Sequence, residues 1–282
     1  MTGPVRVLVT GAEGLVGSAV VAHLRDHGHA ITTLTLPGAT PHEGVRVVRG
    51  DARDPAAVAE AAAGAGAVVH LAAIPNPWDA PAPEVFANNA PATFAVLWTA
   101  AERGVRRFAI AGSVNATGLL MNPHRPLPPR YPIDETIPAD IADPYSLSKH
   151  VDELTLRAVC RRFGASGVAL RLPLMVSPAN ADALLARNAE RPADGAGDGW
   201  GWLDVRDGAE AFRLAITRDY DGAHVVHVAA PDVFGDTPTE ELIARHTPQV
   251  PRRDAYPGHA APVDTRRALD LLGFVPRFGR PA

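Results

Sequence analysis

Three glycines at G-x-x-G-x-x-G spacing, set between an apolar run and an amphipathic stretch, constrain this chain more than any other feature. The segment is Thr10-Gly11-Ala12-Glu13-Gly14-Leu15-Val16-Gly17. Val5–Thr10 reads as a buried strand, and a helix is expected from about Gly14 to His27. Gly11 permits the tight strand-to-helix turn, Gly14 lets backbone N–H groups approach a pyrophosphate, and Gly17 lets the helix pack on a sheet. The helix N-terminus then turns free N–H donors and partial positive charge toward the phosphates. Gly11, Glu13, Gly14, Leu15, Val16 and Gly17 are the expected phosphate-turn residues of a dinucleotide site.

The rest of the first half continues the same alternation. Strands are expected at Ala30–Thr35, Val45–Gly50, Ala67–Leu71, Arg107–Ala111 and Val168–Leu172. Asp54-Pro55 and Asp143-Pro144 each read as an N-cap with proline at the first helical position, opening helices to Ala63 and to about Phe163. A long helix is expected over Glu84–Arg103. Such β-α alternation predicts an α/β fold, a Rossmann-type doubly wound parallel sheet. Asn122–Pro144 and Arg191–Gly201 read as loops. Short elements follow at Trp202–Val205, Asp207–Thr217, Ala223–Ala230 and Asp264–Leu272, too few for an independent fold. The expected organisation is therefore a nucleotide-binding core with the catalytic helix over residues 1–172. Residues 173–282 form a small C-terminal substrate lobe, plus late strands and helices that return to the core.

Bulk properties exclude several functions. With 27 basic and 31 acidic residues the net charge is −4, and no Lys/Arg run offers a footprint for nucleic acid or anionic lipid. No apolar run is long enough for a transmembrane helix. The opening residues pass straight into a strand without a charged-then-apolar leader, so a cytoplasmic location is expected. One cysteine, Cys160, precludes an intramolecular disulfide framework and a cysteine-cluster metal site. It reads as a small core residue.

The nucleotide's far end is less clearly marked. NAD sites often carry an acid at the end of the second strand, but Thr33-Leu34-Thr35-Leu36-Pro37 has none, nor an arginine for a 2′-phosphate. Glu13 disfavours added negative charge nearby, so the expectation leans to NAD over NADP. Asp51, with Ala52 after it, closes the third strand where it can hydrogen-bond an adenine amino group.

The sharpest chemical signal is Tyr145-Ser146-Leu147-Ser148-Lys149. Residues four apart on a helix share a face. A free phenol titrates near 10, too high for a base at neutral pH, and an adjacent ammonium lowers it. Ser113, closing a strand in Ala111-Gly112-Ser113-Val114-Asn115, is expected where ligands bind in open α/β sheets, outside the strands' carboxyl ends. The catalytic candidates are thus Ser113, Tyr145 and Lys149.

With these landmarks the chain resembles the extended short-chain dehydrogenase/reductases, the NAD-dependent epimerase/dehydratase family, over nearly its full length. Further segments carrying the resemblance are HLAA (70–73), NNAPAT (88–93), PIDET (132–136), LRLP (170–173) and WLDVRD (202–207). It implies a Rossmann fold, NAD or NADP, and a Ser-Tyr-Lys mechanism. Leu71, Ala72 and Ala73 would then run along the cofactor, Asn89 would support the catalytic helix, and Leu172 and Pro173 would border the nicotinamide. Val114-Asn115 stands where the family's dehydratases generally place Asp-Glu, and Leu174 where nucleotide-sugar epimerases often have Asn. The short lobe looks closer to uronate dehydrogenase-like members acting on free sugars.

The expected function is NAD(P)-dependent interconversion of a secondary alcohol and a ketone or lactone on a small, sugar-like molecule. Alternatives are an NAD-dependent sugar epimerase and a non-catalytic NAD(P)-sensing regulator. Asn76, Trp78 and Asn115 are substrate-contact candidates beside Ser113. Trp200 and Trp202 are expected to pack the lobe. His23, His27 and His29 tempt as metal ligands, but no acidic or cysteine ligand lies near them in sequence, so no metal is expected. The two long helices could pair across a two-fold axis in a homodimer.

Overall fold

Side chains along the first strand alternate between two cores. Val7 and Val9 join one apolar cluster with Val20, Val21, Leu24 and Phe212, while Leu8 joins another with Val68, Val96, Leu97 and Phe108. A strand buried on both faces belongs in the middle of a parallel sheet covered by helices. The computed structural model, which describes residues 3–280, shows that arrangement.

Seven strands lie in the order β3-β2-β1-β4-β5-β6-β9, every neighbouring pair parallel. They are β1 (Arg6–Thr10), β2 (Ala30–Thr35), β3 (Arg46–Arg49), β4 (Ala67–His70), β5 (Arg107–Ser113), β6 (Ser166–Leu172) and β9 (Ala223–His227). Helices α1 (Leu15–Asp26), α6 (Val205–Thr217) and α8 (Arg266–Leu272) cover one face. Helices α2 (Pro55–Ala61), α3 (Ala82–Glu102) and α4 (Pro144–Phe163) cover the other. The strand order reverses direction between β1 and β4, and the crevice at such a switch point is where open α/β sheets bind ligands. Asp54 and Asp143 accept hydrogen bonds from the backbone N–H groups of Ala56 and Ser146, capping α2 and α4 as their Asp-Pro pairs predict.

A small second layer is built from β7 (Leu174–Val176) and β8 (Trp202–Asp204), which pair in parallel, with α5 (Ala181–Glu190) and α7 (Thr239–His246). Leu119, Tyr131, Ile133, Trp200, Leu242 and Ile243 form a separate core there. Trp200 and Trp202 are buried, their indole N–H groups donating to Pro192 O and Asp232 Oδ1. Cys160 is buried between α4 and the sheet.

Several expected boundaries shift. The strand expected to end at Ala111 continues to Ser113, because its ladder with β6 runs on to the Ser113–Leu172 pair. The long helix starts at Ala82 rather than Glu84, directly after Pro81, and passes through Pro91. Residues 192–198, expected as loop, wind into 3-10 turns. Among the described residues no helix is long and apolar enough to cross a membrane.

Candidate active site

The turn after β1 shows why its glycines differ. Gly11 has a positive φ of 68°, and a Cβ there would stand 2.6 Å from Ala72 N. A Cβ on Gly17 would overlap Gly11 O, so this residue lets α1 approach the turn. Gly14 is different: a Cβ would meet only Gly11 O at 3.5 Å, an ordinary contact. Nothing inside the fold demands glycine there. Gly14 is also the N-cap of α1, offers no side chain to its first N–H groups, and is followed by no acid in the first turn. The donors of α1 therefore face outward into a cavity, a cradle suited to a pyrophosphate.

That cavity has a volume of about 910 Å³. Gly11, Gly14, Leu15, Val16 and Gly17 line it together with Leu71, Ala73, Asn76 and Trp78. Ser113, Asn115, Tyr145, Lys149, Leu172 and Pro173 line it as well. The three residues proposed from sequence for chemistry thus share one cavity with the glycine turn, though they come from β5 and α4.

Five expected residues do not line it. Glu13 is exposed, and Ala72 gives its N–H to Thr10 Oγ1 at 3.3 Å beneath the turn. Asp51 is gripped by Arg53, with contacts of 3.0 and 2.6 Å, and Ala52 packs against the α2–α3 core. The Arg53 hydrogen bonds hold the Asp51 carboxyl below its usual range against some opposing burial. Asn89, fully buried, accepts from Ile74 N at 2.8 Å and donates to Ile74 O and to Ser148 Oγ, the latter on α4. Asn76 spends its side chain locally, accepting from Trp78 N and Asp79 N.

Tyr145 and Lys149 are 7% and 5% exposed. Lys149 Nζ lies 5.8 Å from the Tyr145 ring centre and donates to Ala111 O at 2.9 Å. Burial disfavours the ammonium, but the opposing charges of Asp152 and Tyr145 outweigh it and raise Lys149 above its ordinary range. Ser113 Oγ accepts from Asn115 N at 3.1 Å and Asn115 Nδ2 at 3.2 Å, which leaves the hydroxyl proton to donate outward. Such a constellation can pass a proton between a substrate oxygen and a phenol while a serine orients that oxygen.

Other residues became visible only in three dimensions. His42 Nε2 donates to Ala12 O, 2.9 Å away, bracing the glycine turn from the β2–β3 loop. Arg49 reaches the end of β2, where the sequence shows no basic residue, and donates to Leu36 O and Ala39 O. Arg125, Arg187 and Arg191 also line the cavity, as do the buried Asp198 and Trp200. Away from the cavity, α6 brings Glu210 beside His23 and His27, supplying the acid that sequence spacing does not show. Arg213 also binds both oxygens of Glu210, at 2.7 Å each.

A family model described as the NAD dependent epimerase/dehydratase family matches residues 7–229. The NAD-dependent glucose-6-phosphate dehydrogenase of Haloferax volcanii is 28% identical over 231 residues, 76% of this chain and 81% of that protein. The dTDP-glucose 4,6-dehydratase of Mycobacterium tuberculosis is 31% identical over 172 residues, 56% of this chain and only half of the dehydratase's own length. Among solved structures, MoeE5 in complex with UDP-glucuronic acid and NAD matches at a TM-score of 0.72 and 25% identity, covering 97% of this chain and 94% of MoeE5. A mutated uronate dehydrogenase shares the fold at a TM-score of 0.66 and 21% identity, covering 99% and 83%.

Proposed function

Because the chain belongs to the NAD dependent epimerase/dehydratase family, we propose that it is an NAD-using dehydrogenase that interconverts a secondary alcohol and a ketone or lactone on a small, anionic, sugar-like substrate. The observation that carries this reading is the shared cavity: Ser113, Tyr145 and Lys149 line the same space as the glycine turn. A nicotinamide cofactor, when bound, supplies the hydride acceptor. Tyr145 takes the hydroxyl proton of the substrate, Ser113 donates a hydrogen bond to the reacting oxygen, and Lys149 stabilises the phenolate. General acid–base help of this kind contributes roughly 10²–10⁴-fold.

Gly11, Gly14, Leu15, Val16 and Gly17 would hold the pyrophosphate, and Leu172 and Pro173 would border the nicotinamide. Residues 1–172 form the cofactor-binding core, and the lobe within 173–282 closes the substrate end. Arg187 and Arg191 support an anionic substrate: they rim the cavity, and among the described residues neither side chain has a hydrogen bond or ion pair. A phosphate or carboxylate would supply their partner. Dehydration is disfavoured because Asn115, not an acid, stands two residues after Ser113 and gives its amide to that serine.

The test is reduction of NAD and of NADP, followed at the absorbance of the reduced cofactor, with sugar phosphates, uronic acids and free sugars. Net reduction selects the dehydrogenase, and inversion at one carbon without net reduction selects an epimerase. Tyr145→Phe should abolish turnover while NAD still binds, and full activity in that variant would remove the base. Binding without turnover of any class tested would select a sensing regulator. The homodimer expected from α3 and α4 would cover Phe94, Leu147 and Leu154, which are exposed in the single chain. Its test is the molecular mass in solution at two protein concentrations.

A further inference from the structure

Beside Lys149 lies a buried carboxylate for which the proposed reaction has no stated use. Asp152, one turn along α4 and 1% exposed, places Oδ2 3.3 Å from Lys149 Nζ. Its Oδ1 has no hydrogen-bond partner. Burying two charges is costly and is offset only by close, fully satisfied geometry. An unsatisfied pair of this kind therefore calls for a functional explanation.

The surroundings of Asp152 have a direction. Thr10 Oγ1 accepts the N–H groups of Leu71 and Ala72 at 3.3 Å, so its own proton points to His70 Nδ1, 2.7 Å away. His70 is fully enclosed, and burial, aided by the charge of Lys149, pushes it down to about 3, so the ring is neutral. With Nδ1 accepting, Nε2 carries the proton and donates to Thr93 Oγ1 at 3.0 Å. The Thr93 hydroxyl faces the Asp152 carboxyl outside hydrogen-bond geometry and favours its charged form. The hydrogen-bonded run Thr10, His70, Thr93 thus leads from the residue before Gly11 to the neighbourhood of the Asp152–Lys149 pair.

The other charged groups facing this pair are accounted for. Glu153, the next residue of α4, is held by Arg171 at 2.8 and 3.1 Å. Tyr145 lies one turn earlier on α4, His70 on β4 is neutral, and α3 contributes only the Thr93 hydroxyl. Burial lifts the Asp152 carboxyl above the usual carboxylate range, with the charge of Lys149 pulling the other way.

We propose that Asp152 is the positioning residue of the tyrosine–lysine pair, anchoring Lys149 by its ammonium and offsetting its charge. This rests on the reading that Tyr145 and Lys149 act together as base and cationic neighbour. Two close groups titrate as one unit, so the charge of Asp152 acts on the unit whichever member loses the proton. Removing that negative charge makes the first proton leave more readily, at lower pH.

The experiment titrates the Tyr145 phenol directly, by ultraviolet difference absorbance of the folded protein, with Tyr145→Phe as the blank. Burial pushes Tyr220 and Tyr256 up to about 12 and Tyr131 higher still, so their absorbance stays out of the window. In Asp152→Asn the midpoint should move about one unit toward acid, and the acid limb of alcohol oxidation should move with it. Asp152→Ser provides a second measurement should the asparagine variant not fold. A midpoint that stays in place, or moves toward alkali, in a folded variant overturns the proposal. Full activity in Tyr145→Phe would instead overturn the base assignment on which it rests, so the two failures are distinguishable.

Discussion

Asn89 on α3 donates through Nδ2 to Ser148 Oγ on α4, 3.2 Å away, while the same amide brackets both backbone groups of Ile74. The loop after β4, which lines the cavity, and the helix bearing Tyr145 and Lys149 are thereby fastened to one side chain. Asn89→Ala leaves the N–H and C=O of half-buried Ile74 and the buried Ser148 hydroxyl without that partner. Each unmet backbone group costs about 1–3 kcal/mol, so a large drop in melting temperature is expected. A thermal shift experiment checks it, and an unchanged melting temperature would mean the bracket carries little energy.

The three glycines of the turn predict opposite phenotypes for the same substitution. Gly17→Ala forces a methyl against Gly11 O, and overpacking of this sort costs about 1–3 kcal/mol. Gly14→Ala meets no such obstacle, so it should melt near wild type yet bind NAD several-fold more weakly, because the methyl occupies the approach to the α1 donors. Calorimetric titration with NAD and thermal melts on both variants separate the two effects. Equal melting temperatures for Gly14→Ala and Gly17→Ala would contradict the geometry.

Arg187 is exposed at the rim, so its contribution is that of a solvated charge. Arg187→Ala should raise KM for an anionic substrate about fivefold to tenfold and leave kcat within about twofold, the low end of a charge-assisted hydrogen bond. The difference should shrink as salt is added, since screening acts on exposed pairs. A neutral sugar substrate should show neither effect. A KM that is indifferent to the substitution for every anionic substrate would remove the anion from the substrate class.

Asp198 provides a pH signature. Burial raises its carboxyl to about 7 although backbone N–H groups of Trp200 and Gly201 favour the anion. A carboxyl whose folded value is raised favours folding only when protonated. Stability is therefore full below about pH 4 and declines as pH rises to about 7, then levels off. Asp198→Asn cannot ionise, so its melting temperature should gain on wild type across that window and hold a constant lead above it. Parallel melting curves from pH 4 to 8 would show that another group carries the titration.

What the chain revealed before folding depended on the range of the interactions. Gly11, Gly17, Tyr145 and Lys149 were legible because a turn and one helix face are local matters, settled by spacing. The sheet core was legible from runs such as Val5–Thr10, where strand burial dictates composition. α5 was not, because only Ala181 of its ten residues is buried and its short apolar stripe ends with the partly covered Leu184 and Leu185. Ser113 was legible at its strand's carboxyl end, though only the long pairing with β6 shows that the ladder runs through it. The acid beside His23 comes from 187 positions away, and Arg49 meets the end of β2 only through sheet register. Asp152 was in plain view three residues after Lys149, but its interest lies in burial and an unpaired oxygen, neither of which spacing reveals.

The polypeptide leaves the sheet after β6, builds the smaller layer, and comes back to dock β9 along the outer edge of β6. The smaller layer is tied to the sheet by more crossings than these two, since Leu119, Tyr131 and Ile133 join it before β6 and α7 joins it after β9. Removing the stretch from Ala223 onward would bare the β6 ladder as a sticky rim and send the shortened polypeptide toward aggregation.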